Sequence, residues 1–210
     1  MSSEITVLLA DDHSLVRKGF RRMLEDEEGI RVVGEAPDGA EAIRLAAELK
    51  PQVVVMDMSM PGLNGMQACI EILRGQPKTA ILMLSMYSEE NYVRNALQAG
   101  ARGYILKNAA DVDLASAVKK VAAGHQVIGP GLISSVPGEY DERDDKLTAR
   151  EKQILQLIAE GKSNKEIAGL LDLSVNTVSV HRANIMEALG IHRTAELVLY
   201  AVRKGLVQLP

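Results

Sequence analysis

Aromatic side chains are scarce in this chain: Tyr and Phe together make up 3% of its residues, and tryptophan is absent. Its cores must therefore be aliphatic, and binding of single-stranded nucleic acid, which stacks bases on aromatic rings, is disfavoured. The single cysteine, Cys69, cannot close an internal disulfide, so nothing points to secretion. Its place in a helical stretch after Gly65 reads as a buried small hydrophobe, with a redox sensor as the alternative. No apolar run approaches the roughly 20 residues that span a bilayer. No basic, apolar leader precedes the first strand-like run. A soluble cytoplasmic protein is the expectation. A surplus of positive charge is also lacking: the net charge is −4, which alone does not suggest nucleic acid. Its distribution is uneven, however. Residues 1–146 carry 16 Lys and Arg against 22 Asp and Glu, whereas residues 147–210 carry 8 against 6. An acidic part joined to a mildly basic one suits a signalling module carrying a nucleic-acid module.

The 210 residues allow one large domain or two small ones. Across the first half, two periodicities alternate. Strand-like apolar runs at 5–10, 31–36, 53–56, 80–84 and 103–106 are each followed by a stretch of helical spacing, at 14–25, 40–49, 65–74, 89–99 and 111–123. Strands that are apolar at successive positions are buried on both faces, which predicts a doubly wound, five-stranded parallel sheet covered by helices. Ligands of such sheets bind beyond the carboxyl ends of the strands. The residues expected there are Asp11, Asp12, Asp57, Ser85 and Lys107.

Between about 129 and 146 the pattern fails in a run rich in Gly, Pro, Ser and charge, a linker by composition. Its acidic segment 141–146 reads as a solvated tether, with an autoinhibitory contact to the basic domain as the alternative. Beyond it, Thr148 with Glu151 and Ser163 with Glu166 match the capping box that opens a helix. Gly161, Gly190 and Gly205 mark helix ends. Two short helices, the turn Asp172-Leu173-Ser174, a long third helix and a fourth helix form an all-α, four-helix unit with a helix-turn-helix arrangement. The predicted division is 1–126, a linker 127–146, and 147–210.

Three carboxylates at two adjacent strand ends repel one another strongly unless a cation neutralises them. Mg2+ suits such a set, because it takes one or two carboxylates plus phosphate oxygens and keeps several waters. Lys107 adds a positive charge and Ser85 a hydroxyl. Together they can position and neutralise a phosphoryl group during in-line attack by a carboxylate.

The segments VLLADDH (7–13), VVVMDMSMPGLNG (53–65), LMLS (82–85) and GYILK (103–107) resemble two-component receiver domains, which have a flavodoxin-like fold. The resemblance covers about residues 4–124. It implies that Asp57 accepts the phosphoryl group, and that Asp11, Asp12, Asp57 and the Met58 carbonyl bind Mg2+. It also implies that Ser85 contacts the phosphoryl group, that Lys107 forms a salt bridge to it, and that Ser85 and Tyr104 move as the switch. Asn108 departs from the proline that many receivers carry after the lysine. Ser59 and Tyr87, each two residues beyond a key position, are candidates for tuning phosphoryl lifetime.

LTAREKQILQLIAEGKSNKEIAGLLDLSVNTVSVHRANIMEALG (147–190) resembles the LuxR-type helix-turn-helix. Joined to a receiver, it is similar to the NarL/FixJ class of response regulators. On the third helix, Val175, Val178, Ile185 and Leu189 share one face and are expected to pack. The opposite face shows Asn176, Ser179, Val180 and Ala183, and farther along Glu187. Where that family commonly has a lysine, this chain has Ser179. Phosphate neutralisation, on which DNA affinity rests, must then come from Lys162, Lys165, Arg193, and Ser174 and Thr177 with the helix's first amides. Base contacts fall to Asn176, Ser179, Val180 and Ala183. Arg182 lies nearer the packed flank but is long enough to reach a phosphate, and His181 reads as a packing or backbone-bonding residue. Ala195, Leu197, Val198, Ala201 and Val202 on the fourth helix are the expected dimer contact.

The resemblance implies a response regulator, not a turnover enzyme. A sensor histidine kinase would phosphorylate Asp57, and a homodimer would then bind double-stranded promoter DNA. Two other classes stay open. One is a phosphorylation-gated switch whose C-terminal helices bind protein. The other is a phosphohydrolase with a covalent aspartyl intermediate, disfavoured because no cap domain or second general acid is visible.

Overall fold

The computed structural model describes residues 4–129, 132, 147–204, 206 and 207. Most of the expected linker, including the acidic run 141–146, lies outside the described residues. Two compact units emerge, residues 1–136 and 137–210.

The first unit alternates β1 (Ile5–Ala10), α1 (Ser14–Glu25), β2 (Ile30–Ala36), α2 (Gly39–Leu49), β3 (Val53–Asp57), α3 (Gly65–Gly75), β4 (Ala80–Ser85), α4 (Glu90–Gln98), β5 (Gly103–Leu106), α5 (Ala110–Ala122) and β6 (Val127–Ile128). All strands pair in parallel in the order β2-β1-β3-β4-β5-β6. Side-chain alternation sends Leu8, Val54, Met56, Ile81, Met83 and Tyr104 to one face, under Ala42 and Ala46 of α2, Cys69 and Ile72 of α3, and Val93 and Ala96 of α4. Val7, Leu9, Val53, Val55, Leu82, Leu84 and Ile105 face the other way, onto Phe20 and Leu24 of α1 and Leu114, Val118 and Val121 of α5. This is a three-layer, doubly wound sheet. The strand count corrects the expectation of five. β6 is a two-residue edge strand that pairs only with Gly103 and Tyr104 of β5, too short to show a periodicity.

The chain leaves β1 toward β2 on one side and returns to β3 on the other, so the crevice between β1 and β3 opens at their carboxyl ends. α3 starts hard against that crevice. A Cβ on Gly65 would lie 2.1 Å from the Asp57 carbonyl oxygen, so only glycine permits the approach.

The second unit holds α6 (Ala149–Ala159), α7 (Asn164–Leu171), α8 (Val175–Leu189) and α9 (Thr194–Arg203). Both predicted capping boxes are formed, at Thr148/Glu151 and Ser163/Glu166. Asp172, in the left-handed region at φ 53°, closes α7 and sets the tight turn into α8. Ile154, Leu155, Ile158, Ile167, Val178, Ile185, Leu197 and Ala201 build an aliphatic core, with Tyr200 packed against its edge. Two expectations are corrected here. Val175 is 48% exposed, because it is the first residue of α8 and projects beyond the core that its turn-mates reach. Leu197 and Ala201 are fully buried in this unit's own core and are not available as a dimer contact; the exposed large apolar side chain of α9 is Leu199.

Candidate functional site

Each strand bordering the crevice ends in a polar residue or is followed directly by one. Asp11 follows β1, Asp57 and Ser85 close β3 and β4, and Lys107 follows β5. An apolar strand stays buried until its last residue, so these side chains emerge at the edge of the core while still largely excluded from water. Asp11, Asp57 and Ser85 are each 2% exposed.

Lys107 Nζ stands 2.7 Å from Asp57 Oδ2 and 2.8 Å from Asp11 Oδ2, bridging the two buried carboxylates. Asp57 Oδ1 accepts the Ser59 N–H at 3.2 Å. Burial pushes the Asp57 pKa up, Lys107 pulls it back and Asp11 pushes it up again, leaving it at about 6. For Lys107, burial lowers the pKa, but the Asp57 and Asp11 carboxylates outweigh it and the ammonium is held more firmly than usual.

One lysine does not neutralise the site. Asp12, exposed, and His13 complete a group in which one ligand atom each from Asp11, Asp12, His13 and Asp57 lies within 4.8 Å of the others. Asp11 Oδ2 is buried and pairs with the Lys107 ammonium at 2.8 Å, so three carboxylates share one ammonium. The negative charge left over is unfavourable beside a buried crevice, and a hard cation with oxygen ligands relieves it. The donor set therefore fits Mg2+. The Met58 carbonyl, next in the chain, accepts the Gly65 N–H at 3.0 Å and keeps a second lone pair. Arg17 braces the loop, donating to the Asp11 carbonyl and pairing with Glu35 at 3.0 Å.

Ser85 reaches the crevice, but its hydroxyl is engaged elsewhere. It accepts the Tyr87 N–H at 3.0 Å and lies 3.9 Å from the Met58 sulfur. Tyr104 is fully buried and points inward, its hydroxyl donating to the Tyr87 carbonyl at 2.8 Å. Tyr87 stacks on Tyr92 at 4.5 Å. The Tyr87 hydroxyl is made less acidic by burial first, then by Tyr92, Glu89 and Asp57. Sequence reasoning missed His13 and Arg17 as parts of the site. The ADDH string held the signal for His13, whereas nothing local marks Arg17.

In the second unit, Lys162, Lys165, Ser174, Asn176, Ser179, Val180, Ala183 and Arg193 are exposed on or beside α7 and α8. Val180 is 52% exposed. The Ser174 hydroxyl caps α8 by accepting the Thr177 N–H at 2.9 Å. Ser179 bonds back to the Val175 carbonyl and accepts from the Asn164 amide at 3.1 Å. Arg182 donates to Asn164 at 3.4 Å and to the Thr194 hydroxyl, so its guanidinium ties α8 to α7 and α9. The buried Nδ1 of His181 has no hydrogen-bond partner among the described residues.

Residues 7–119 match the response regulator receiver domain, and residues 145–201 match the luxR family of bacterial regulatory proteins. The response regulator GacA of Pseudomonas aeruginosa is 41% identical over 209 residues, which is 97% of this chain and 98% of that protein. Among solved structures, the RcsB response regulator of Salmonella typhimurium is 30% identical with a TM-score of 0.59, covering 97% of this chain and 100% of that one. A structure of a two-component response regulator RcsB–DNA complex matches at 30% identity and a TM-score of 0.57, covering 96% of this chain and 99% of that one.

Proposed function

The chain belongs to the response regulators of the NarL/FixJ class, a receiver joined to a LuxR-type DNA-binding domain, and we propose that Asp57 is the phosphoryl acceptor that switches its DNA binding. The observation that carries this reading is the Lys107 ammonium bridging Asp57 and Asp11 at 2.7 and 2.8 Å in a buried crevice.

Asp57 acts as nucleophile. With its pKa raised to about 6 it is mostly ionised at neutral pH, yet poorly solvated and electron-rich. Its oxygen bonds to phosphorus as the bond from phosphorus to a donor histidine nitrogen breaks, so the kinase supplies the group and this chain retains it. Lys107 already sits where the new phosphoryl charge will develop and needs no reorganisation. Asp11, Asp12, Asp57 and the Met58 carbonyl would hold Mg2+; when bound, the ion neutralises phosphoryl oxygens. Ser85 leaves its Tyr87 and Met58 contacts to bond the phosphoryl group. Tyr87 and Ser59 flank the approach of hydrolytic water and set phosphoryl lifetime. Receiving one group per activation, the protein is a switch, not a turnover enzyme.

Phosphorylation favours one receiver state over another and thereby pairs two chains on promoter DNA. α8 enters the major groove with Asn176, Ser179, Val180 and Ala183 toward the bases. Lys162, Lys165, Arg193 and the Ser174–Thr177 start of α8 meet phosphates. With a sensor histidine kinase and DNA as its partners, the protein works in the cytoplasm. The domains divide as 1–126 and 147–210 with a linker between them.

The test is labelling by acetyl phosphate, followed by gel-shift on DNA selected with the labelled protein. Wild type should take one acid-stable, base-labile phosphoryl group and shift DNA at lower concentration. Asp57→Asn should do neither. Undiminished labelling of that variant would overturn the assignment.

A further inference from the structure

We infer that residues 127–132, the first stretch of the linker, form a strap whose seating on β5 is coupled to the inward position of Tyr104. The state of the phosphorylation site is thereby passed to the chain that leads into the DNA-binding unit. The inference rests on the proposed roles of Asp57 and Tyr104 and adds the element that reads them.

By composition this stretch is linker, yet it is fixed to the receiver. The Val127 N–H donates to the Arg102 carbonyl at 3.0 Å and the Gly129 N–H to the Tyr104 carbonyl at 2.9 Å, which holds β6 against β5. The Leu132 N–H then donates to the Gly129 carbonyl at 3.2 Å and turns the chain back. Leu132 is thereby only 7% exposed, an apolar anchor set in the core cluster that contains Tyr104. This turn needs residue 129 to be small. A Cβ on Gly129 would stand 3.2 Å from Ile105 Cγ2 and 3.4 Å from Leu132 Cδ1.

What the strap adjoins is the switch residue. Tyr104 and Ile128 are partners in register, and partners in neighbouring strands send their side chains to the same face of a sheet. Ile128 packs against the cluster, Leu132 is part of it, and the Tyr104 ring within it is fully buried. An outward Tyr104 has to leave a cluster that Ile128 and Leu132 help to close, and has to give up its hydrogen bond to the Tyr87 carbonyl. The inward ring and the seated strap therefore favour each other.

The other end of the same ring reaches toward the crevice. The Tyr104 hydroxyl holds the Tyr87 carbonyl at 2.8 Å, and the Tyr87 N–H donates to Ser85 Oγ at 3.0 Å. Ser85 turning to the phosphoryl group leaves room on the inside, so phosphorylation favours the inward ring and, through it, the seated strap. Two sites that bias one two-state element are coupled, and the coupling is reciprocal. A seated strap pins the chain to the receiver at Leu132; a released one pins it no later than α5, and the reach of the DNA-binding unit changes with it.

Amide hydrogen exchange of the full chain, read residue by residue by NMR with and without acetyl phosphate and Mg2+, tests this. The Val127 and Gly129 amides should exchange about fivefold or more slowly in the labelled protein, and Asp57→Asn should show no such change. Leu132→Ser and the milder Gly129→Ala, which keeps every core side chain, should speed exchange at both amides without any phosphate. In chain carrying fluorotyrosine, the same variants should shift the Tyr104 fluorine signal, assigned with Tyr104→Phe, toward its solvent-exposed value. Equal exchange in labelled and unlabelled protein overturns the inference, as does a Tyr104 signal that stays in place while the strap amides exchange faster. Failure of the acceptor reading looks different: wild type would gain no phosphoryl mass beyond that of Asp57→Asn. The Tyr104 response to the strap variants, which needs no phosphate, would then still decide the coupling.

Discussion

Burying a carboxylate beside another carboxylate opposes folding, and Asp57 is buried beside Asp11. Its folded-state pKa of about 6 lies above the ordinary value of 3.8, so the folded chain binds this proton more tightly than the unfolded one. The sign follows from linkage. Above about pH 6 both states are ionised and the burial penalty is fully present; below about pH 4 both are protonated and it vanishes. A displacement of about two pH units corresponds to roughly 3 kcal/mol. Asp57→Asn, without divalent ions, should therefore raise the receiver's melting temperature by about 5–10 °C at pH 7.5. The gain should shrink toward zero near pH 4. No stabilisation at pH 7.5 would show that Lys107 offsets the whole penalty. Cys69 offers a second check at this scale. It is fully buried, its thiol lies 3.5 Å from the Ala99 carbonyl, and burial lifts its pKa to about 12. It should resist thiol reagents at pH 8 until the chain is denatured, and rapid labelling of the native protein would revive the redox-sensor reading.

At the scale of elements, the crevice depends on where strands stop and helices start. α3 can begin beside Asp57 only because residue 65 has no side chain. Gly65→Ala drives a Cβ into backbone, which cannot rotate away, so a loss of about 2 kcal/mol or more is expected. Slower acetyl-phosphate labelling should accompany it, because the displaced group belongs to the proposed acceptor residue. Normal labelling at full stability would mean that α3 is free to move outward. On α8, Arg182 is held by Asn164 and Thr194. Arg182→Ala should destabilise this unit by about 1 kcal/mol and weaken DNA binding with the salt dependence unchanged. If the residue neutralises a phosphate instead, the slope of log affinity against log salt should fall by about 1.

For the whole molecule, a mildly basic DNA unit whose α8 face carries no Lys or Arg is expected to bind weakly alone, with pairing supplying the missing affinity. Unphosphorylated protein should shift DNA only at high concentration, with a shallow salt slope. Phosphorylated protein should bind as a dimer, with steep dependence on protein concentration. Sedimentation of both forms checks this, and tight binding by a phosphorylated monomer would refute it. Leu199, the exposed large apolar residue of α9, is the more available dimer contact now that Leu197 and Ala201 are seen to be core.

Local pattern sufficed for the five long strands, their helices and the capping boxes, because burial on both faces forces unbroken apolar runs and a cap needs residues only three apart. It also sufficed to place Asp11, Asp57, Ser85 and Lys107 together, since parallel strands bring their carboxyl ends to one edge. Tertiary packing decided the rest. Two residues at 127–128 become a strand only because β5 has an open edge. Periodicity cannot say which apolar face of α9 meets the core, nor that Val175 overshoots it. The reach of Arg17 to Glu35 depends on a distance between residues that the chain order does not relate, whereas the turn of His13 toward Asp12 and the engagement of the Ser85 hydroxyl are choices of side-chain rotamer that no local pattern records.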